Sequence, residues 1–324
     1  MLIYVIWGYI ERGMLRMNIN ELIQILNRND LNVRIYFTQK SGRDSYVSYS
    51  PTMAEPLQQS LKETICENLS DYEGYDQVEF NPIGCVDSVI EYTTIDYIQT
   101  FQSVIETFAE ERVIRENLID NMVIQKLNFY CLKVEYTDNQ GELKEILIFR
   151  RITKFKKLTK RGFFGKIQHN QFVKLDSDLL GVDGDIDIVV KDGEVLILNH
   201  IAMERIFSLT DQYGENAIQT LAYIERANRI QNFQQFYDDC LSDQRVKRIL
   251  TKLLAEPEIL ENCFVNFSNV LEVIEIFELE IAIEEDNQVL VYESKSQLMD
   301  IVRLARDSYY RSLINEREVV NEGI

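Results

Sequence analysis

Leu127–Arg150, LNFYCLKVEYTDNQGELKEILIFR, reads as two β-strands joined by a turn. Strand-forming aromatic and aliphatic residues fill both arms, and Asn139-Gln140-Gly141 separates them. A second hairpin lies downstream at Gly184–His200, GDIDIVVKDGEVLILNH, with Lys191-Asp192-Gly193 between its arms. Asp-Gly suits the tight turn that two antiparallel strands require. Alternation along Asp185–Val190 predicts Ile186, Ile188 and Val190 on the core side and Asp185 and Asp187 on the solvent side.

Upstream, Asn18–Asn29 and Pro56–Leu69 have helical spacing, and Asn32–Thr38 with Ser45–Ser50 reads as a strand pair around Gly42. Short strands are predicted at Val78–Phe80, Ile83–Val86 and Val89–Tyr92, and Ile98, Phe101, Ile105 and Phe108 mark one helix face. Gln171–Leu175 is a further short strand. Beyond the second hairpin the period turns helical from Ala202 to about Ala255, where Pro257 interrupts it. Strands at Glu280–Ile283 and Gln288–Tyr292 and a helix over Ser296–Tyr310 complete the pattern.

The fold class expected is α+β. At 324 residues and 46 % hydrophobic the chain reaches the size at which a single core tends to divide. Two domains are expected: a small α+β domain over 14–122, and over 123–324 a mixed or antiparallel sheet with a helical subregion. The apolar run Met1–Ile10 is about half of the ~20 residues a membrane helix needs and lacks a basic leader, so it predicts neither span nor signal peptide. Cys66, Cys85, Cys131, Cys240 and Cys263 are scattered and odd in number, which signals no disulfide framework and fits a reducing cytoplasm. His169 and His200 are the only histidines, leaving little for zinc or for His-assisted nucleophiles.

The net charge of −19 opposes nucleic acid on average, yet its distribution is uneven. Residues 146–175 hold no acid and nine cations: Arg150, Arg151, Lys154, Lys156, Lys157, Lys160, Arg161, Lys166 and Lys174. The remainder carries 25 basic against 53 acidic residues, or −28. Clustered Lys and Arg displace counterions from phosphates, and Phe155, Phe163 and Phe164 could stack on bases or anchor the segment. A solvated hairpin extension, or one docked on an acidic subunit face, fits the same residues.

Asp185 and Asp187 also imitate the metal-binding hairpin of restriction-endonuclease-like nucleases. In those enzymes the second strand ends in an acid, a spacer and a lysine, whereas here it ends Asn199-His200-Ile201. Glu204 is the residue that could substitute for the missing acid. A calcium loop at Asp183-x-Asp185-x-Asp187 is excluded because Ile188 replaces its glycine. His200 reads as a hydrogen-bonded strand-end residue. No phosphate loop, nucleophile elbow or dinucleotide fingerprint occurs, so no cofactor is expected.

The order of these features, with K-F-K-K, F-F-G-K, a strand ending L-D, G-D-I-D-I-V-V, D-G, V-L-I-L-N, M-E-R-I-F and a late D-S-Y-Y-R-S-L, resembles the KwaB family. KwaB is the cytosolic component of the two-gene Kiwa anti-phage defence system. The resemblance runs from about Leu127 to Leu313. It implies a protein that works with the membrane protein KwaA at the inner face of the cell membrane, binds phage DNA and impedes replication and transcription, with no defined enzymatic activity. Charge density then selects Arg150, Arg151, Lys154, Lys156, Lys157, Lys160, Arg161 and Lys166 as DNA contacts. The acidic remainder calls for a homo-oligomer whose basic segments add up. Two other functions fit the residues: a metal-dependent nuclease using Asp185, Asp187 and Glu204, and a structural subunit of a membrane-associated complex.

Overall fold

The computed structural model describes residues 17–84, 86–114, 126–152, 165–168, 171–174, 182–284, 286, 288–312 and 314–323. In chain order the first ten strands are β1 (Asn32–Lys40), β2 (Tyr46–Tyr49), β3 (Asp76–Glu79), β4 (Val89–Thr94), β5 (Leu127–Thr137), β6 (Leu143–Arg151), β7 (Gly165–Gln168), β8 (Gln171–Lys174), β9 (Ile188–Lys191) and β10 (Glu194–Ile197). Eight of them form one sheet in the order β2-β1-β5-β6-β9-β10-β4-β3, antiparallel except between β3 and β4. The two hairpins read from the sequence lie side by side at its centre. Among the described residues β7 and β8 pair only with each other.

Strands from the first 122 residues flank both sides of this centre, with β1 on β5 and β4 on β10. The boundary expected between residues 122 and 123 therefore runs through the sheet and does not separate two cores. The mixed α+β architecture stands.

Helices cover both faces of the sheet, so the central strands are apolar at consecutive positions. Ile146 and Ile148 join Leu132, Val134, Val189 and Leu196 in a core closed by helices Ile19–Leu26 and Glu55–Ser70. Leu147 and Phe149 point the other way, into a core with Cys131, Ile188, Val190 and Ile197 under helices Phe101–Ile105 and His200–Ile206. Full burial of each such side chain contributes about 1.5–3 kcal/mol. The alternation expected for Asp185–Val190 needs correction here. The strand starts at Ile188, Val189 is buried like its neighbours, and Asp187 is only 1 % exposed. Asp185 does face solvent.

Helix Leu209–Arg226 starts in the second core with Leu209 and Tyr213 and continues into a third with Ala217, Leu221 and Ile224. That third core gathers helices Phe233–Ser242, Gln244–Leu254, Phe267–Ile276 and Leu298–Ala305. Around it lie β11 (Ile230–Gln231), β12 (Ala282–Glu284) and β13 (Val289–Val291), paired in the order β11-β13-β12, and the ribbon β14 (Tyr309–Arg311) with β15 (Glu318–Val320). The helical stretch expected over 202–255 is broken at Ser208, Asn228 and Asn232, all with left-handed backbone. The helix expected to reach Tyr310 stops at Ala305, and the chain turns through left-handed Asp307 into β14. Among the described residues no helix is long and apolar enough to cross a membrane.

Candidate functional site

Pairing of β6 with β9 brings Arg150 beside the turn that precedes β9. Its guanidinium donates to three carboxylates: Nε and Nη2 to Asp183 (3.0 and 3.1 Å), Nη2 to Asp185 (2.6 Å) and Nη1 to Asp187 (2.9 Å). Asp187 also accepts the Arg151 backbone N–H at 2.6 Å, and its carbonyl accepts from Leu198 and Asn199. The Tyr130 hydroxyl donates to Asp183 from the adjoining strand. Burial raises the Asp187 pKa above the usual carboxylate range even against the Arg151 N–H and the Arg150 charge. Arg150 is held more firmly protonated still by its three acids, despite its own burial.

This turn is seated on helix Glu55–Ser70 through Gly184. A β-carbon on Gly184 would lie 2.0 Å from Thr64 Cγ2 and 2.7 Å from Thr64 Cβ. Gly184→Ala should thus lower stability by roughly 1–3 kcal/mol, the usual cost of overpacking. Its denaturant midpoint against wild type checks this, and Thr64→Ala in the same chain should recover part of the loss.

A second buried ion cluster joins the sheet to the helical core. His200, the first residue of its helix, meets Glu91 of β4 through Nδ1 at 2.7 Å and stacks on Phe80. One turn on, Glu204 lies 3.8 Å from His200 Nε2 and accepts both Nε and Nη2 of Arg248 at 2.9 and 2.7 Å. The hydroxyls of Tyr97 and Tyr213 are buried nearby, and burial first, with the Glu204 charge adding to it, raises the pKa of both. Because Arg248 belongs to helix Gln244–Leu254, this fork ties two cores together. Arg248→Ala leaves Glu204 buried without its fork, and a loss of about 2–3 kcal/mol is expected for a charge-assisted pair of this kind. Urea unfolding would measure it.

The acids expected to serve a nuclease are thus spread over two arginines. Asp185 and Asp187 belong to Arg150, Glu204 belongs to Arg248, and among the described residues no group of acids, cysteines and histidines could hold a metal ion. Among the described residues four cysteines are free and buried. Burial pushes the Cys263 thiol up to about 12 and raises those of Cys66, Cys131 and Cys240, so none is poised as a nucleophile.

Of the expected DNA contacts, Arg150 is spent on the aspartates and Arg151 gives its backbone N–H to Asp187. Lys166 lies on β7. Lys154, Lys156, Lys157, Lys160 and Arg161 lie outside the described residues. Sequence reasoning missed Glu91, Tyr130 and Arg248, which no local motif marks; only strand order and helix packing bring them to these clusters.

Neither the curated proteins nor the solved structures give a match. The family model described as "Kiwa protein KwaB-like" matches residues 126–315, a span that starts just before β5 and takes in the Arg150 cluster, the segment between β6 and β9, and the helical core. The chain belongs to the KwaB-like family of Kiwa proteins.

Proposed function

We propose that this chain acts in Kiwa anti-phage defence by binding phage DNA through its backbone, without reading sequence, in concert with a KwaA-like membrane partner. One observation carries the reading: nine of the chain's 34 cations fall within the acid-free residues 146–175, most of them between two strands that are neighbours in the sheet. Phosphate contacts made by such a segment are sequence-independent and release counterions. Arg150 anchors the root of the segment, and Arg151, Lys154, Lys156, Lys157, Lys160, Arg161 and Lys166 make the contacts. A body of −28 repels DNA over the rest of its surface. Two or more copies presenting their segments together, at the inner face of the membrane where the partner holds them, would overcome that repulsion.

The test is retention of duplex and single-stranded DNA by the purified chain, alone and with its partner, across a salt series with magnesium present. The DNA is recovered and sized afterwards. Binding that falls steeply with salt and leaves the DNA whole supports the reading. Absence of salt-sensitive retention rejects it, and shortened DNA would transfer the case to a nuclease.

A further inference from the structure

Where the helical core meets the loop after β3, residues 321–323 lie across a group of cations. Glu322 accepts from Arg245 at 2.6 Å and from Arg303, which also reaches Asp300. Asn321 is pinned by its N–H to the Ser308 carbonyl at 2.7 Å. The Gly323 carbonyl accepts two hydrogen bonds, from Lys252 Nζ at 2.9 Å and Asn81 Nδ2 at 2.5 Å. Gly323 itself has φ +83°, and a β-carbon there would come within 2.3–2.6 Å of the Arg306 guanidinium.

Arg303 and Arg306 both leave Nε without a hydrogen bond, but Arg303 gives its other two nitrogens to Asp300 and Glu322, and Arg306 is the less well paired of the two. Its side chain is 8 % exposed, its Nε makes no hydrogen bond, and Glu256 approaches that nitrogen only to 4.0 Å. A buried guanidinium without a good acceptor is costly. Lys252 shares the shortage: its hydrogen bond goes to a neutral carbonyl, and burial together with Arg306 lowers its pKa, with Glu256 and Glu79 opposing only in part. Two cations and an amide therefore converge where the only acceptor supplied by the 321–323 strap is an uncharged oxygen.

We propose that Asn81, Lys252 and Arg306 form a binding site for a phosphate group, and that the Gly323 carbonyl fills it while Glu322 holds residues 321–323 down. A phosphate brings several acceptor oxygens and formal negative charge, matching the ammonium and the planar guanidinium together. Strap and phosphate exclude each other, so the closed strap lowers the apparent phosphate affinity by the fraction of molecules it closes. The phosphate belongs either to a free anion or to a nucleic-acid backbone, and competition separates the two sources.

The experiment uses the full chain carrying Lys156→Glu/Lys157→Glu/Lys160→Glu, which removes the basic segment as a rival and keeps this test separate from that of DNA binding. Inorganic phosphate is titrated against chloride at matched ionic strength, reading the thermal midpoint and amide exchange at residues 321–323. A saturable rise in midpoint with faster strap exchange is expected. Glu322→Gln should saturate at about ten-fold lower phosphate, since it releases the strap without touching the site. Lys252→Gln, or Asn81→Asp should the first fail to fold, should abolish the response. A response quenched by a single-stranded oligonucleotide assigns the phosphate to nucleic acid; one that is not quenched assigns it to a free anion. No saturable response in either the parent or Glu322→Gln overturns the site, as does an unchanged response in Lys252→Gln or Asn81→Asp.

Discussion

Replacing Arg150 by alanine is expected to lower the free energy of unfolding by about 3–5 kcal/mol, because it strands a buried carboxylate. Asp183 and Asp185 are more than half exposed and can recover water, but Asp187 cannot. The pH dependence separates this cause from simple loss of packing. Burial already raises the Asp187 pKa, so in the native state this group binds its proton more readily than in the unfolded chain. A raised carboxylate contributes stability that is full below its ordinary pKa and is lost as the pH climbs through the raised value. Without Arg150 that value rises further. The deficit of Arg150→Ala should be largest near neutrality and shrink on acidification toward the ordinary carboxylate range. Denaturant midpoints at a series of pH values would show this, and a pH-independent deficit would point to packing alone. Arg150→Lys should rescue only part, since a single ammonium cannot reproduce a fork shared by three acids.

The Lys156→Glu/Lys157→Glu/Lys160→Glu variant should lose DNA affinity by about a hundred- to a thousand-fold at low salt, with a log–log salt slope shallower by roughly 2.7 if each lysine neutralises one phosphate. Each reversal removes one counterion-releasing contact and adds one repulsion. Thermal stability within about 0.5 kcal/mol of wild type, the range usual for surface substitutions, would show that the loss of binding is not a loss of fold. A variant that binds DNA as wild type does removes these lysines from the interface. If it instead dissociates in sedimentation while wild type shows no DNA binding at all, the segment serves assembly between copies.

Much of this was legible in the sequence where the determinant is local. Leu127–Thr137 and Leu143–Arg151 form as read because strand propensity and the Gly141 turn agree. Strand order was not legible, since the placing of β1 beside β5 and β4 beside β10 depends on contacts remote in sequence. That gap produced the domain boundary drawn through the sheet. It also explains Asp187, which alternation places in solvent but which lies buried beside Arg150 and the Arg151 N–H where β6 meets β9. Charge density alone points Arg150 toward DNA. The spacing Asp183-x-Asp185-x-Asp187 was the available signal for another role, and it becomes readable only once β6 is known to lie against β9. The Glu204–Arg248 fork joins residues 44 apart, beyond any motif.

Because β6 and β9 are antiparallel neighbours, Phe149 and Ile188 face each other about 5 Å apart across the ladder, near where the intervening chain begins and ends. For a flexible connection, doubling the length between such fixed ends costs only about 0.6 kcal/mol. Changes of chain length between Ile152 and Val182, whose side chains pack on the first core, are therefore expected to leave the register of β6 and β9 unaltered. Selection by changing viruses could then rework the cationic segment repeatedly while Arg150 and its three aspartates keep the socket unchanged.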